Sequence, residues 1–485
     1  MFQHILKDFC NNSSIHGLKF LTKPKRHWIE RLFWAVCCIL SWCGSVLLIL
    51  SSWEHNQNNA ISFMADTTYL DWNTPFVSIA IFESELNSKV ANSYIKDKFK
   101  KHEDGFLEEM RLLLDEIVYQ QQHTYIKKCL NNASEFDNIE KNDCPRTNLS
   151  NIVQLMQSPC KDIFHKCQWN DKEFDCCKYF LPLQTELGPS YAINNIHSQD
   201  NSRQETFLDM TSNSTSGPGK LLLELAVKTK VYVLSKHEVP TYNTPMENVI
   251  IATANVYYKI FLQVTEVISV PQVKEINIAK RQCKFPEENA NFYLYNLYSY
   301  STCLVECRRR ESMHLCNCTN PLMPAARTEK NCGLDGMKCL KEAHKIIRTL
   351  KNPWEKGGDG IPCACMIGCE ELKYKVFQQR ERVPRNYTAV EIQLIQLPSV
   401  RFKRNIVRDT VDMAVNLGGT AGLLVGGSIL SLGEILYYFF IRPVWEAVHS
   451  HRPRLPTPSE PHLGSRCNRS LPIRLQLSTV NTSLV

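Results

Sequence analysis

Three consecutive residues, Gly426-Gly427-Ser428, and one acid, Glu434, carry most of the chemistry this chain offers. They lie within residues 413–441, an apolar run in which Glu434 is the only charged residue. Two glycines and a serine weaken a helix there. Broken backbone at membrane depth is tolerated only where it is buried in protein or lines a water-filled path. Freed carbonyls and a serine hydroxyl suit a partly dehydrated cation. An acid at a helix centre costs about 2.5–3.5 kcal/mol to insert, so it faces a partner or water. Two blander readings compete. Gly418, Gly422 and Gly426 recur every fourth residue and fit a small-residue seam for helix packing. Glu434 near the interface would be wet and idle. One such ring from a single chain cannot enclose a pore, so conduction requires an oligomer.

The elements that hold these residues follow from hydropathy and charge. The chain has 485 residues and a net charge of +7. Residues 1–31 carry six Lys/Arg and two acids, and residues 442–485 carry six Arg and two Glu. Residues 53–412 hold 44 basic and 44 acidic residues, which excludes a basic nucleic-acid-binding body. Residues 32–52 are 21 uncharged residues, long enough to cross ~30 Å of hydrocarbon as a helix. A signal peptide is the competing reading, but the run starts about thirty residues in and lacks a small-x-small cleavage site. As a straight helix, residues 413–441 would reach ~44 Å, so they tilt, protrude or break. Basic flanks place both termini, 1–31 and 442–485, in the cytoplasm, and 53–412 outside the cell.

Cysteine usage fits that placement. Sixteen of the 21 cysteines lie between 129 and 369, an even number in an oxidising exterior, which reads as disulfides. Sequons at Asn132, Asn148, Asn213, Asn317 and Asn386 share the region. Zinc at Cys316-x-Cys318 and Cys363-x-Cys365 competes weakly, because neither shows the spacing of common structural sites. No other metal or cofactor is called for. The chain has no G-x-S-x-G, H-E-x-x-H or Walker sequence, so an enzyme is not expected.

Between the apolar segments, residues 76–82 (FVSIAIF) read as a buried strand. Residues 94–122 space Phe99, Phe106, Met110, Leu113, Leu114 and Ile117 as one amphipathic helix, interrupted near Gly105. Residues 221–278 read as several strands of an antiparallel core sheet, and 385–403 return to strand. A helix is expected over 338–351. Residues 1–30 look polar and mobile apart from Ser14-Ile15-His16-Gly17-Leu18. The ending Ser483-Leu484-Val485 suits strand addition to a PDZ groove.

The chain resembles the degenerin/epithelial sodium channel superfamily, and within it the arthropod pickpocket-type subunits. The resemblance rests on His16-Gly17, RLFW at 31–34, KRQCKFPEE at 280–288 and STCLVECRRR at 301–310. It continues through CNCTNPLMP at 316–324, PCACMIGCEELKYKV at 362–376 and LGGTAGLLVGGSILSLGEILYYF at 417–439. It implies an α+β membrane protein: two transmembrane helices, 32–52 and 413–441, flanking a disulfide-rich ectodomain. That ectodomain would have an antiparallel palm sheet and β-ball (about 70–85, 190–280 and 385–405), a finger (about 90–190) and a Cys-rich thumb (about 283–375). The implied activity is sodium-selective, amiloride-sensitive conduction by a homo- or heterotrimer in the plasma membrane, with Na+ as the permeant ion and lipid as surroundings.

By the same resemblance, Gly426, Gly427 and Ser428 occupy the selectivity filter, and Gly422 a place tied to amiloride block. His16 and Gly17 match the motif that affects open probability, Val415 the degenerin position, and Glu434 lies below the filter. The thumb bridges would be Cys283–Cys369, Cys303–Cys365, Cys307–Cys363, Cys316–Cys339 and Cys318–Cys332, with Cys160–Cys167 a short finger bridge. Cys129, Cys144, Cys176 and Cys177 remain, with Cys176 and Cys177 expected to pair elsewhere than with each other. The family's FPAVTIC strand and G-x-C-Y-x-F-N segment lose their cysteines together here, at 76–82 and 188–194, which puts that link's rigidity in doubt. The alternatives to a conducting subunit are a non-conducting two-span Cys-rich receptor, which needs neither Gly426-Gly427-Ser428 nor Glu434, and an auxiliary subunit that conducts only in heteromers.

Overall fold

A computed structural model describes residues 2–449, apart from 24–25, 69–71, 101–102, 121–123, 132–138, 140–142, 199–207, 290–293, 325–329, 352–356, 358–359 and 383–386. The sequons Asn132 and Asn386 and the tail Ser483-Leu484-Val485 therefore lie outside the described residues. The chain forms two compact units, Ser52–Val411 and Met1–Ser51 with Asp412–Val485.

Two sheets organise the unit Ser52–Val411. The larger is built on strand Val256–Ser269, which pairs antiparallel with Glu371–Arg382. Its other edge runs parallel to Thr388–Leu394 and then to Arg401–Ile406. This corrects the expectation of a purely antiparallel sheet. The chain reverses after Arg382 and crosses to the opposite edge, so its direction again matches that of Val256–Ser269. Lys220–Leu225 extends the sheet, and its alternation is plain: Leu221, Leu223 and Leu225 are buried while Lys220, Leu222 and Glu224 are half-buried. The five-stranded sheet runs Val249–Ala252, Thr229–Leu234, Ser78–Glu83, Gly188–Ile193, Leu181–Thr185. Ser78–Glu83 is its middle strand and is buried on both faces, which is why its sequence is continuously apolar. Apolar side chains of both sheets meet in one core, including Ile79, Ile81, Val231, Ile260, Leu262 and Ile392.

The two cysteine-free segments are neighbours in that sheet. Their pairing runs Ile79↔Ile193, Ala80↔Ala192, Ile81↔Tyr191. One residue further, Phe82 packs edge-on against Tyr232 at 5.1 Å, and Ser190 Oγ donates to Leu183 O at 2.9 Å. Each of these contacts ties one segment to its outer neighbour in the sheet, and the two segments themselves are joined by strand pairing.

A second core is helical. The helix expected over 94–122, interrupted or restarted near Gly105, is two helices, Ser88–Phe99 and Asp104–Tyr119. The first ends at Lys100 in the left-handed region (φ 54°), so the break precedes Gly105. Phe106, Met110, Leu113, Leu114 and Ile117 are all buried. The helix expected at 338–351 begins earlier and splits into Leu334–Glu342 and His344–Arg348. Leu350–Lys351 is instead a short strand beside Ile361–Pro362.

Eight disulfides close this unit among the described residues. The five bridges from Cys283–Cys369 to Cys318–Cys332 are present as the resemblance implies. The Cys160–Cys167 bridge is not. Cys160 joins Cys177, Cys167 joins Cys176, and Cys129 joins Cys144. Cys167 lies inside strand Phe164–Trp169 with its side chain fully buried, whereas Cys160 opens a helical turn before it. The adjacent Cys176 and Cys177 therefore each take one of them.

Candidate functional site

The segment 413–441 breaks. Helices Val411–Val425 and Ile429–Trp445 bend by 71° about residues 426–428. Gly426 makes the break possible. Its φ of +70° lies in the region that disfavours side chains, and a Cβ there would sit 2.7 Å from the His16 ring. Ser428 then caps the following helix. Ser431 N–H donates to Ser428 Oγ at 3.2 Å, while Ser428 N–H donates to Ser431 Oγ at 3.1 Å. The sequence reading took Ser428 as a ligand for ions and missed this reciprocal cap, although the Ser-x-x-Ser spacing signals it. After one short helix the backbone widens into a π-helical turn, Tyr437–Ile441.

The N-terminal segment closes on the break. The expectation of a polar, mobile stretch is corrected: Phe2–Asn12 is a helix. Its spacing of Ile5 and Phe9 was the available signal, and both are buried. Phe9 packs edge-on against Tyr438 and Phe439 at 5.8 and 5.3 Å, and Asp8 pairs with Arg442 at 3.1 Å. Beyond this helix the chain turns, and His16 N–H donates to Val425 O at 2.9 Å, the last carbonyl before the break. Gly17 follows with φ +87°, and a Cβ on it would collide with Cys38 Sγ on helix Trp28–Asn58. The His-Gly pair is thus fixed by close approach on both sides.

Glu434 has a partner. Its carboxylate accepts from Ser14 N–H at 2.9 Å and from Ser14 Oγ at 3.2 Å, and Ser14 Oγ lies 2.6 Å from Ser431 Oγ. Ser14, Ser431, Asp8 and Arg442 were not picked out as contacts by sequence reading, because the partners lie some 420 residues apart. The structure therefore brings His16, Gly17, Gly426, Gly427, Ser428 and Glu434 into one cluster. Gly422 adjoins it, since a Cβ on Gly422 would lie 3.7 Å from Gly427 O. Val415 stands apart, 68% exposed, and Gly418 meets nothing within 4 Å.

Trp28–Gln57 is long and apolar enough to cross a membrane. Among the described residues no three His, Cys, Asp or Glu lie together as a metal site. The remaining sequons differ in setting. Asn148 and Asn317 are exposed with positive φ, and Asn213 is half-buried with its side chain donating to Asn73 Oδ1 at 2.9 Å.

A profile of amiloride-sensitive sodium channels matches residues 9–438. The chain belongs to that family. Its match begins at Phe9 and ends at Tyr438, the two rings that touch beneath the break. The chain is 22% identical to "Sodium channel protein Nach" of Drosophila ananassae over 473 residues, covering 90% of this chain and 86% of that one. It is 23% identical to "Pickpocket protein 19" of Drosophila melanogaster, covering 88% and 89%. It is 24% identical to the "Bile acid-sensitive ion channel" of Mus musculus over 200 residues, 36% of this chain and 39% of that one. The amiloride-sensitive sodium channel family is one of ion channels rather than enzymes, and this chain is a pickpocket-like member of it.

Proposed function

We propose that this chain is one subunit of a trimeric, sodium-selective channel of the plasma membrane, sensitive to amiloride and gated by an extracellular stimulus. In this reading Trp28–Gln57 is the first crossing and the bent pair Val411–Val425 and Ile429–Trp445 is the second, with both termini cytoplasmic. The mixed sheet then serves as the palm, the helices Ser88–Phe99 and Asp104–Tyr119 as the finger, and the cysteine ladder as the thumb. The observation that carries it is the backbone break at Gly426-Gly427-Ser428. A break there is costly in lipid and tolerated only where it is buried in protein or lines a water-filled path. His16 covers one side of it, and in an oligomer the other side would face the path. Three copies would set three such turns around one axis. A cation would exchange part of its water for backbone oxygens at that ring, with size and field strength deciding passage. Glu434, on the helix that follows the break, supplies a carboxylate near it, and Gly422 lies where a blocker entering from outside would meet the narrowing. Val415, unpacked in the single chain, is left for contact with neighbouring subunits.

Expression of the chain in oocytes, with current recorded with and without amiloride, tests this reading. Ser428→Leu should abolish the current while surface biotinylation stays unchanged. Ser428→Thr, which keeps the helix cap, should conduct. An undiminished amiloride-sensitive current in Ser428→Leu removes the pore assignment.

A further inference from the structure

The unit Ser52–Val411 holds a cavity of about 680 Å³ that the conduction pathway does not use. Its size lies within the ~300–1,000 Å³ typical of small-molecule sites. The floor is one face of the five-stranded sheet. The register Lys230↔Ile251, Tyr232↔Val249 and Lys230↔Phe82 sets these side chains on a common face. Tyr119, at the end of its helix, and Met156 form the facing wall. Met246 and Ile251, at 79% and 47% exposure, are large apolar side chains left uncovered in that lining.

The lining mixes apolar and polar side chains, and several of the polar ones are already engaged: Gln120 bonds Asn320 and Tyr191 Oη donates to Ser158 O. Among the described residues, the half-buried Lys230 ammonium has no ion-pair partner, and the Tyr119 and Tyr232 hydroxyls have no hydrogen-bond partner. The lining acid, Glu83, is occupied elsewhere: it accepts from Ser158 N–H at 3.0 Å, and burial raises its pKa. Arg348 lies over the Tyr242 ring at 3.9 Å and adds a second positive charge to the rim. A neutral apolar ligand would cover Lys230 and leave it unpaired, at a desolvation cost, and a cationic ligand would be repelled. We propose that this cavity is a binding site for a small amphiphilic carboxylate, with its apolar body on Phe82, Ile251 and Met156 and its head toward Lys230 and the Tyr232 hydroxyl. The head lies away from Tyr119, whose hydroxyl faces Glu83, Asp115 and Glu85.

The test is a binding measurement and stands independently of whether the chain conducts. The full chain in lipid nanodiscs is titrated with 1-naphthaleneacetate by saturation-transfer NMR, with empty nanodiscs as background. The neutral 1-naphthaleneacetamide is run in parallel. The acid should bind at least ~10-fold tighter than the amide, because the lysine bond is charge-assisted. Lys230→Gln should weaken the acid by at least ~10-fold and leave the amide unchanged. Ile251→Asp, at an exposed position, should abolish binding of both without changing the Tm. No saturable binding of the acid by wild type below ~1 mM, equal binding of acid and amide, or a Lys230→Gln variant that binds like wild type would each overturn the proposal.

Discussion

The cysteine ladder and the helix break are held together by opposite means. Helix Tyr300–Cys316 offers Cys303 and Cys307 on one face, four residues apart, to Cys365 and Cys363 on the returning segment between Ile361–Pro362 and Ile367–Gly368. Cys283–Cys369 encloses both, and Cys316–Cys339 and Cys318–Cys332 tie the far end. Around the break there is no covalent tie among the described residues, and Cys10, Cys37, Cys38 and Cys43 are free. What holds it is the His16–Val425 bond, the Ser14–Glu434 and Ser14–Ser431 bonds, the Asp8–Arg442 pair and the Phe9 ring contacts. Each such hydrogen bond contributes a net ~0.5–1.5 kcal/mol. The ladder is thus held by covalent ties, and the break by a handful of contacts that each contribute little.

The largest expected effect breaks the stiff part from inside. Arg308 and Glu186 form an ion pair at 2.7 Å with both side chains fully buried. Arg308 also reaches Asn243 and Ile347 O, while Tyr242 N–H donates to Glu186 at 2.8 Å. Glu186 Oε2 has no partner, and burial already pushes this carboxyl upward. Arg308→Ala strands the acid and should cost ~3–5 kcal/mol. The double variant Arg308→Met/Glu186→Leu should lose less than Arg308→Ala, because it removes both charges together. Thermal unfolding of the full chain measures this, and a single variant as stable as wild type would show that the pair does not brace the ladder.

Next come the bridges themselves. Cys303→Ala and Cys365→Ala should each cost ~2–4 kcal/mol, and the double variant no more than either alone. Peptide mapping that joins Cys303 to any residue other than Cys365 would contradict the ladder.

How much was legible beforehand divides along the same line. The ladder followed from the family resemblance, since its nested bridges span 56 to 86 residues, whereas the break could be read from Gly426-Gly427-Ser428 because it depends on residue type at short spacing. The finger bridges could not. Cys160, Cys167, Cys176 and Cys177 allow three pairings, and the choice turns on Cys167 being buried within a strand, which spacing does not reveal. The parallel edge of the larger sheet escaped for a similar reason, since strand character fixes faces but not direction. The N-terminal closure was hidden most deeply. Glu434 stood out as the one acid of its segment, but Ser14 is an ordinary residue that shows itself as the partner only when the two segments meet.

Acid should soften the stiff unit by a smaller amount. His197 and His237 are buried as neutral rings, and His197 Nε2 lies 2.9 Å from His237 O. Burial pulls both pKa values from 6.5 down to about 4. Lys236 and the second histidine hold His237 down further, Glu287 opposes them, and the Tyr295 ring lies 5.3 Å from His197. Because the unfolded chain takes up protons first, stability is full above about pH 6.5 and falls as the pH drops toward about 4. His197 alone should account for on the order of 1–3 kcal/mol across that window. His197→Gln should flatten the dependence of Tm on pH, and an unchanged slope would place the acid sensitivity elsewhere.

The smallest effect sharpens the other side of the comparison. Ser14→Ala removes the hydroxyl that links Ser431 and Glu434 but keeps the backbone N–H donated to Glu434 at 2.9 Å. The loss should be ~1 kcal/mol, about a five-fold shift in the balance between channel conformations. Read as current at a fixed, half-maximal stimulus, that is a modest change, and surface delivery should not alter. Glu434→Ala should act more strongly, since it also frees the Ser14 N–H. In a double-mutant cycle the two should fall short of additivity by ~0.5 kcal/mol or more, because both remove the same contact. Distant, independent sites add, so full additivity would mean that Ser14 and Glu434 do not meet in the conducting cycle. The break would then be held by the His16–Val425 bond, the Asp8–Arg442 pair and the Phe9 ring contacts, of which the His16 contact is the next one to cut.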